Sequence, residues 1–207
     1  MTTEQEHLLF LHELGRSLSQ WAYVELDLRH LVTACVPMEA RQLVAVGYFS
    51  IENFRSKLAY CDSIIIESQH RSPTVARWQA MSERIRSAST RRNRLAHWTM
   101  MLFPRAKIGR RYALVEWSRN VFSAPSKQEP DRNTSGPPSS ALCLRQVLEA
   151  RYEFESLTPT LSNLRAAFLG EPEPWSDSKC IPSVPMSPAA HWMKFCTESG
   201  ISEEVKK

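Results

Sequence analysis

Residues 78–97 read WQAMSERIRSASTRRNRLAH, and the spacing within them decides the fold class. Trp78, Met81, Ile85, Ala88, Arg92 and Leu95 recur at intervals of 3, 4, 3, 4 and 3. That interval returns side chains to one face of an α-helix. Five of these six positions are apolar, and the sixth is Arg92. A charge on an apolar seam needs a partner or a ligand, because burying it unpaired is costly. Ser72-Pro73, just upstream, offers an N-cap followed by proline at the first helical position.

Three further stretches carry the same period. Over residues 4–36, Leu11, Leu14, Leu18, Trp21, Leu28, Val32 and Cys35 form a seam that Pro37 ends, with Glu25 falling on it. Over residues 38–70, the inward candidates are Val46, Phe54, Leu58, Cys61 and Ile65. Over residues 140–169, Val147, Ala150, Phe154, Leu157, Leu161, Leu164 and Phe168 alternate by 3 and 4, with Pro159 inside the run predicting a kink.

After His97 the period changes. Thr99–Phe103 and Tyr112–Trp117 are short β-prone runs around Pro104 and a basic turn at Gly109, predicting a β-hairpin within residues 98–118. Residues 123–139 have the composition of a flexible loop. The expected fold is all-α. It is an up-and-down four-helix bundle over residues 1–170, with the hairpin inserted between the third and fourth helices. Residues 171–207 are proline-rich and predicted to be a disordered tail, in which Trp175, Trp192, Met193 and Phe195 are the candidates for docking.

Composition narrows the classes of function. No run of 18 uncharged apolar residues exists to make a transmembrane helix, and Glu4 and Glu6 stand where a secretory leader is basic. A cytoplasmic protein without membrane contact is expected. The five cysteines are scattered singly, which suits free thiols in apolar surroundings rather than disulfides or a zinc site. His7, His12, His30, His70 and His191 lack metal-ligand spacing, and His30 and His70 read as helix-end caps. There is no Gly-rich phosphate loop, GxSxG or HExxH, so nucleotide hydrolases and metalloproteases find no support. No metal or cofactor is expected.

The net charge of +4 conceals an asymmetry. Residues 71–120 hold twelve Arg or Lys against Glu83 and Glu116, a local excess of +10, while the rest of the chain is at −6. Basic charge concentrated in one quarter of a chain suits a polyanion such as RNA, or a solvated helix face.

Within that quarter lies Arg92-Asn93-Arg94-Leu95-Ala96-His97. Arginine carries a planar fork that matches phosphate, and histidine titrates near neutrality. Asn93 precedes His97 by one helical turn, so its amide is placed to orient the imidazole or to meet a phosphate oxygen. The same residues also have a structural reading: a core arginine held by a carboxylate, and a histidine at a helix C-terminus interacting with the dipole.

At the end of the third helix of a bundle, Arg92, Asn93 and His97 resemble the RNxxxH signature of the HEPN superfamily. The stretch Trp21–Leu28, with Glu25, resembles the first helix of such proteins. The resemblance implies a metal-independent endoribonuclease, in many members a toxin or defence effector with an antitoxin-like protein partner. It implies attack of an RNA 2′-hydroxyl on the adjacent phosphorus, giving a 2′,3′-cyclic phosphate and a 5′-hydroxyl. His97 would be the general base or acid, Arg92 would stabilise the phosphorane, and Arg86, Arg91 and Arg94 would hold the RNA backbone. A catalytically silent RNA- or nucleotide-binding or protein-interaction module is the alternative.

On one ideal helix, residues five apart point about 140° from each other. Either the helix loosens before His97, or two chains share the site. The resemblance implies the second, a homodimer with a composite cleft. Glu25 either supports Arg92 or pairs with Arg55 or Lys57 on the second helix.

Overall fold

The computed structural model describes residues 2–69, 73–104, 106–107, 109–116, 137, 140–172, 174 and 197. The described residues are mostly helical and form five α-helices and one small sheet. The helices are α1 (Thr3–Ala34), α2 (Met38–Ser50), α3 (Phe54–Gln69), α4 (Thr74–His97) and α5 (Leu144–Leu169). Strands β1 (Thr99–Leu102), β2 (Tyr112–Val115) and β3 (Leu142–Cys143) make a three-stranded antiparallel sheet in the order β1-β2-β3. No described helix is long and apolar enough to cross a membrane. The chain divides into two compact units. One comprises residues 1–18, 91–152 and 186–207, and the other residues 19–90 and 153–185.

In the first unit, α1 opens with a reciprocal capping box: Thr2 N–H donates to Gln5 Oε1 (2.9 Å) and Gln5 N–H to Thr2 Oγ1 (3.2 Å). The inner face that follows departs from the expected seam. Glu6, Phe10, Glu13 and Ser17 are buried, whereas Leu11 is exposed and Leu14 and Leu18 are half-buried. Each of these buried polar side chains has at least one hydrogen-bond partner. Ser17 Oγ lies 2.7 Å from Glu13 O and 3.2 Å from Val147 O, and the Arg151 guanidinium donates to Glu13 Oε2 at 2.6 Å. Glu6 Oε1 accepts from the N–H groups of Gly109 (2.9 Å) and Arg111 (3.0 Å). Gly109 has φ +82°, a conformation that glycine adopts without steric cost.

β1 pairs with β2 from Thr99 opposite Val115 to Leu102 opposite Tyr112, and Phe103 N–H continues the ladder to Arg111 O at 2.6 Å. β2 lies in the middle of the sheet with Tyr112, Ala113 and Leu114 all buried. Ala113, Ala141 and Cys143 cluster there with Phe103 and Val115 packed against them. β3 was not expected; it occupies the place assigned to the start of the last helix. That helix begins instead at Leu144, where Gln146 reaches back to cap Cys143 N–H at 3.0 Å.

In the second unit, the expected helix over residues 38–70 is two helices, so the described residues form five helices rather than four. The chain leaves α2 through an extended Ile51, and Asn53 Oδ1 caps α3 by accepting from Ser56 N–H at 2.8 Å. The break resets the helical phase. Leu58, Cys61 and Ile65 are buried as expected and Phe54 is half-buried, but Val46 is exposed. α2 meets α3 closely at Gly47, where an added Cβ would lie 2.6 Å from Tyr60 Oη. Trp21 sets its ring edge-on against Phe54 and Phe154, at 4.7 and 5.1 Å between centroids.

α4 buries Trp78, Met81, Ile85, Ala88 and Leu95, in line with the spacing from which its helix was inferred. α5 runs through Pro159 without interruption and ends at Gly170 (φ +67°). There the Glu171 and Gly170 N–H groups return to Ala166 O and Ala167 O, a Schellman closure. Cys35, Cys61 and Cys143 are buried thiols, and burial raises the Cys35 thiol to about 12. Several expectations fall outside the described residues: the Ser72 cap, the loop over 123–139 apart from residue 137, and the tail beyond 172 apart from 174 and 197.

Candidate active site

Arg92, Asn93 and His97 occupy the last turns of α4, in the first unit. Arg92 is half-buried rather than sealed in the core, while Asn93 and His97 are exposed. On the predicted seam Ala88 and Leu95, on either side of Arg92, are buried, while Arg92 itself is only half-buried. Its Nη1 donates to Asn93 Oδ1 at 3.2 Å. The Asn93 amide oxygen thus orients the arginine, a role the sequence left between imidazole and phosphate.

α4 does not loosen before His97. The helix extends through that residue, and Trp98 N–H still bonds back to Arg94 O at 3.0 Å. The Cα–Cβ directions of Arg92 and His97 therefore diverge by about 140°. One chain presents an arginine–amide pair and an exposed imidazole on different faces of one helix.

The three flanking arginines differ in what they contact. Arg94 is exposed and lies over the Trp98 ring at 5.3 Å, a cation–π arrangement that leaves its outer edge open. Arg91 is exposed. Arg86, in the second unit, already pairs with Glu83 (2.6 Å) and Asp62 (3.2 Å), so its charge is locally balanced. Arg84 donates to Ser156 Oγ at 3.1 Å, and Arg111 approaches Glu6 Oε2 at 3.8 Å. Part of the basic quarter of the sequence is thus spent on internal contacts.

Glu25 lies in the second unit, in a polar network of its own. Its carboxylate accepts from Trp21 Nε1 (2.9 Å) and Lys57 Nζ (3.0 Å), while Tyr48 Oη donates to its main-chain oxygen (2.8 Å). Lys57 sits over the Tyr48 ring at 5.3 Å. Of the partners weighed for Glu25 from sequence, Lys57 is the one it contacts, and this network joins α1, α2 and α3.

Sequence reasoning passed over Asp27, Arg29 and Arg165, and read His30 as a cap. His30 instead faces Asp27 across one helical turn, with Arg29 against its ring. The Asp27-x-x-His30 spacing was visible in the sequence, but the approach of Arg165 from α5 was not.

Comparison with protein-family models, curated proteins and solved structures finds no match to this chain.

Proposed function

We propose that this protein is a HEPN-type, metal-independent endoribonuclease built on a helical bundle and active as a homodimer, with a toxin or defence role. The observation that carries the reading is the unbroken helix through Arg92, Asn93 and His97, with Asn93 and His97 exposed and Arg92 partly so. That exposure leaves the motif within reach of a polyanion in solution. A one-chain site would need the helix to give way.

In this reading His97 of one copy and the Arg92–Asn93 pair of the other flank a scissile phosphate. His97 removes the proton from the 2′-hydroxyl or protonates the leaving 5′-oxygen. Arg92, already oriented by Asn93, offers its N–H groups to the oxygens on which charge accumulates. Arg91 and Arg94 hold adjacent phosphates; the ion-paired Arg86 contributes less than they do.

Purified protein incubated with mixed RNA in EDTA tests this directly. Cleavage leaving 2′,3′-cyclic phosphate ends, lost in His97→Ala and absent on DNA of the same sequence, is expected. RNA binding without cleavage, equal in wild type and His97→Ala, would assign the chain to a silent RNA-binding module instead.

A further inference from the structure

The apolar residues of α2, in the second unit, face outward. Tyr48 is the one residue this helix buries. Leu43 is 76% exposed, Met38 74%, Phe49 64% and Val46 55%. Leu43, Val46 and Phe49 recur at intervals of three, which sets them along one side of the helix. The opposite side is already committed to the fold. There Tyr48 Oη donates to Glu25 O of α1 at 2.8 Å, and Tyr60 Oη of α3 donates to Val44 O at 3.2 Å.

Size and charge together say what covers this face. Its four large side chains leave roughly 500 Å² of apolar surface in water, toward the upper end of what one patch on a monomer exposes. Glu39, Gln42 and Ser50 are exposed around them. With that polar rim the face approaches the roughly 800 Å² per partner of a standard interface. The charges are split between its ends. Glu39 stands in the first turn of α2, and the Arg29 guanidinium lies 5.6 Å from the centroid of Phe49 at the last turn. Glu52 and Arg55, just beyond that end, are exposed and opposite in sign. A face with an acid at one end and a guanidinium at the other is complementary to a reversed copy of itself, as a two-fold interface requires.

We propose that α2 packs against α2 of a second copy of this chain, antiparallel, about a two-fold axis near Val46. Val46 then meets its own equivalent, and Leu43 of each copy meets Phe49 of the other. Glu39 of each copy approaches Arg29 of the other, whereas a parallel pair would set like charges together. The exposed side of α2, where Val46 was expected to face the core, is thereby buried between two chains. The inference adds to the proposed homodimer the surface that holds its two copies, and it stands on the exposure of α2 alone. The motif lies in the first unit, so a dimer held through α2 that cuts no RNA fails the motif reading and leaves this one intact.

Sedimentation velocity on the full chain tests this. Wild type should be a dimer at about 10 μM. Val46→Glu and Val46→Lys each set two like charges face to face across the axis, and each should weaken the dimer at least about 100-fold. Position 46 is exposed in the single chain, so neither variant loses core packing and circular dichroism should not change. An equimolar mixture of the two variants should dimerise again, because unlike charges then meet. Wild type that stays monomeric at about 100 μM, a dimer that Val46→Glu does not weaken, or a mixture that stays monomeric overturns the proposal. In a monomeric wild type, Trp192→Ala separates the other occupants. A shift of the Leu43 and Val46 methyl NMR signals would assign the face to the chain's own C-terminal tail, and unmoved signals to a different protein.

Discussion

The pair Glu13–Arg151 offers a sharp test of how the first unit is held. Arg151 Nη1 is 2.6 Å from Glu13 Oε2, and each side chain is only 8% exposed. Water cannot replace either partner at that exposure. Glu13→Leu should therefore leave a buried guanidinium and destabilise the fold by about 3–5 kcal/mol. For a chain of this size that lowers Tm by roughly 6–20 °C, at about 2–4 °C per kcal/mol. Glu13→Leu with Arg151→Met removes both charges and both desolvation costs. The double variant should lie within about 1–2 kcal/mol of wild type, because apolar replacement of a buried pair is often close to neutral. Urea unfolding followed by circular dichroism measures all four corners of the cycle. The exposed pair Arg145–Glu149 is the control: Glu149→Gln should change stability by no more than about 0.5 kcal/mol. If Glu13→Leu costs as little as that control, or if the two single losses simply add, the pair does not fasten α1 to α5 in the way described.

Other consequences are open to measurement. Gly15→Ala, whose Cβ meets nothing within 4 Å, should stabilise α1 by up to about 1 kcal/mol, whereas Gly47→Ala should be worse than it by about 1–2 kcal/mol because of Tyr60 Oη; paired thermal melts decide. Glu6→Ala strands the Gly109 and Arg111 N–H groups, and should cost about 2–3 kcal/mol while raising amide exchange at those two positions. Asp27 titrates above its ordinary 3.8 mainly through burial, so its contribution is fully present below that value and is lost as pH rises through the raised one. Asp27→Asn should accordingly stabilise the protein more at pH about 7 than at pH about 4, as read by urea midpoints. His30 titrates below 6.5, so its contribution is present above that value and is lost as pH falls through the lowered one; His30→Gln should flatten the decline in that window.

How much of this was legible in the sequence depended on whether apolar residues marked the inner face. Along α4 and α5 they did, and Trp78, Ile85, Phe154 and Leu161 are buried where the spacing puts them. In the first half of α1 they did not. The buried face there carries Glu6, Glu13 and Ser17, whose partners lie more than 100 residues away, so the eye follows Leu11, Leu14 and Leu18 one step out of phase. The break at residues 51–53 left only Asn53 as a capping signal, and a two-residue strand such as β3 is too short to show a period. Near the motif, sequence alone located Arg92, Asn93 and His97 but could not say whether the helix persists through them. That required the backbone hydrogen bond from Trp98 to Arg94.

The measurement closest to the central claim is complementation between two inactive variants. Arg92→Ala and His97→Ala proteins, each a folded dimer without RNA cleavage, are mixed under conditions that exchange subunits. If His97 of one copy works with Arg92 of the other, each mixed dimer holds one intact site. Random pairing should then restore about a quarter of wild-type cleavage in EDTA, since half the dimers are mixed. Mixtures as inactive as their components, with subunit exchange verified, would contradict a site shared between two copies of this chain.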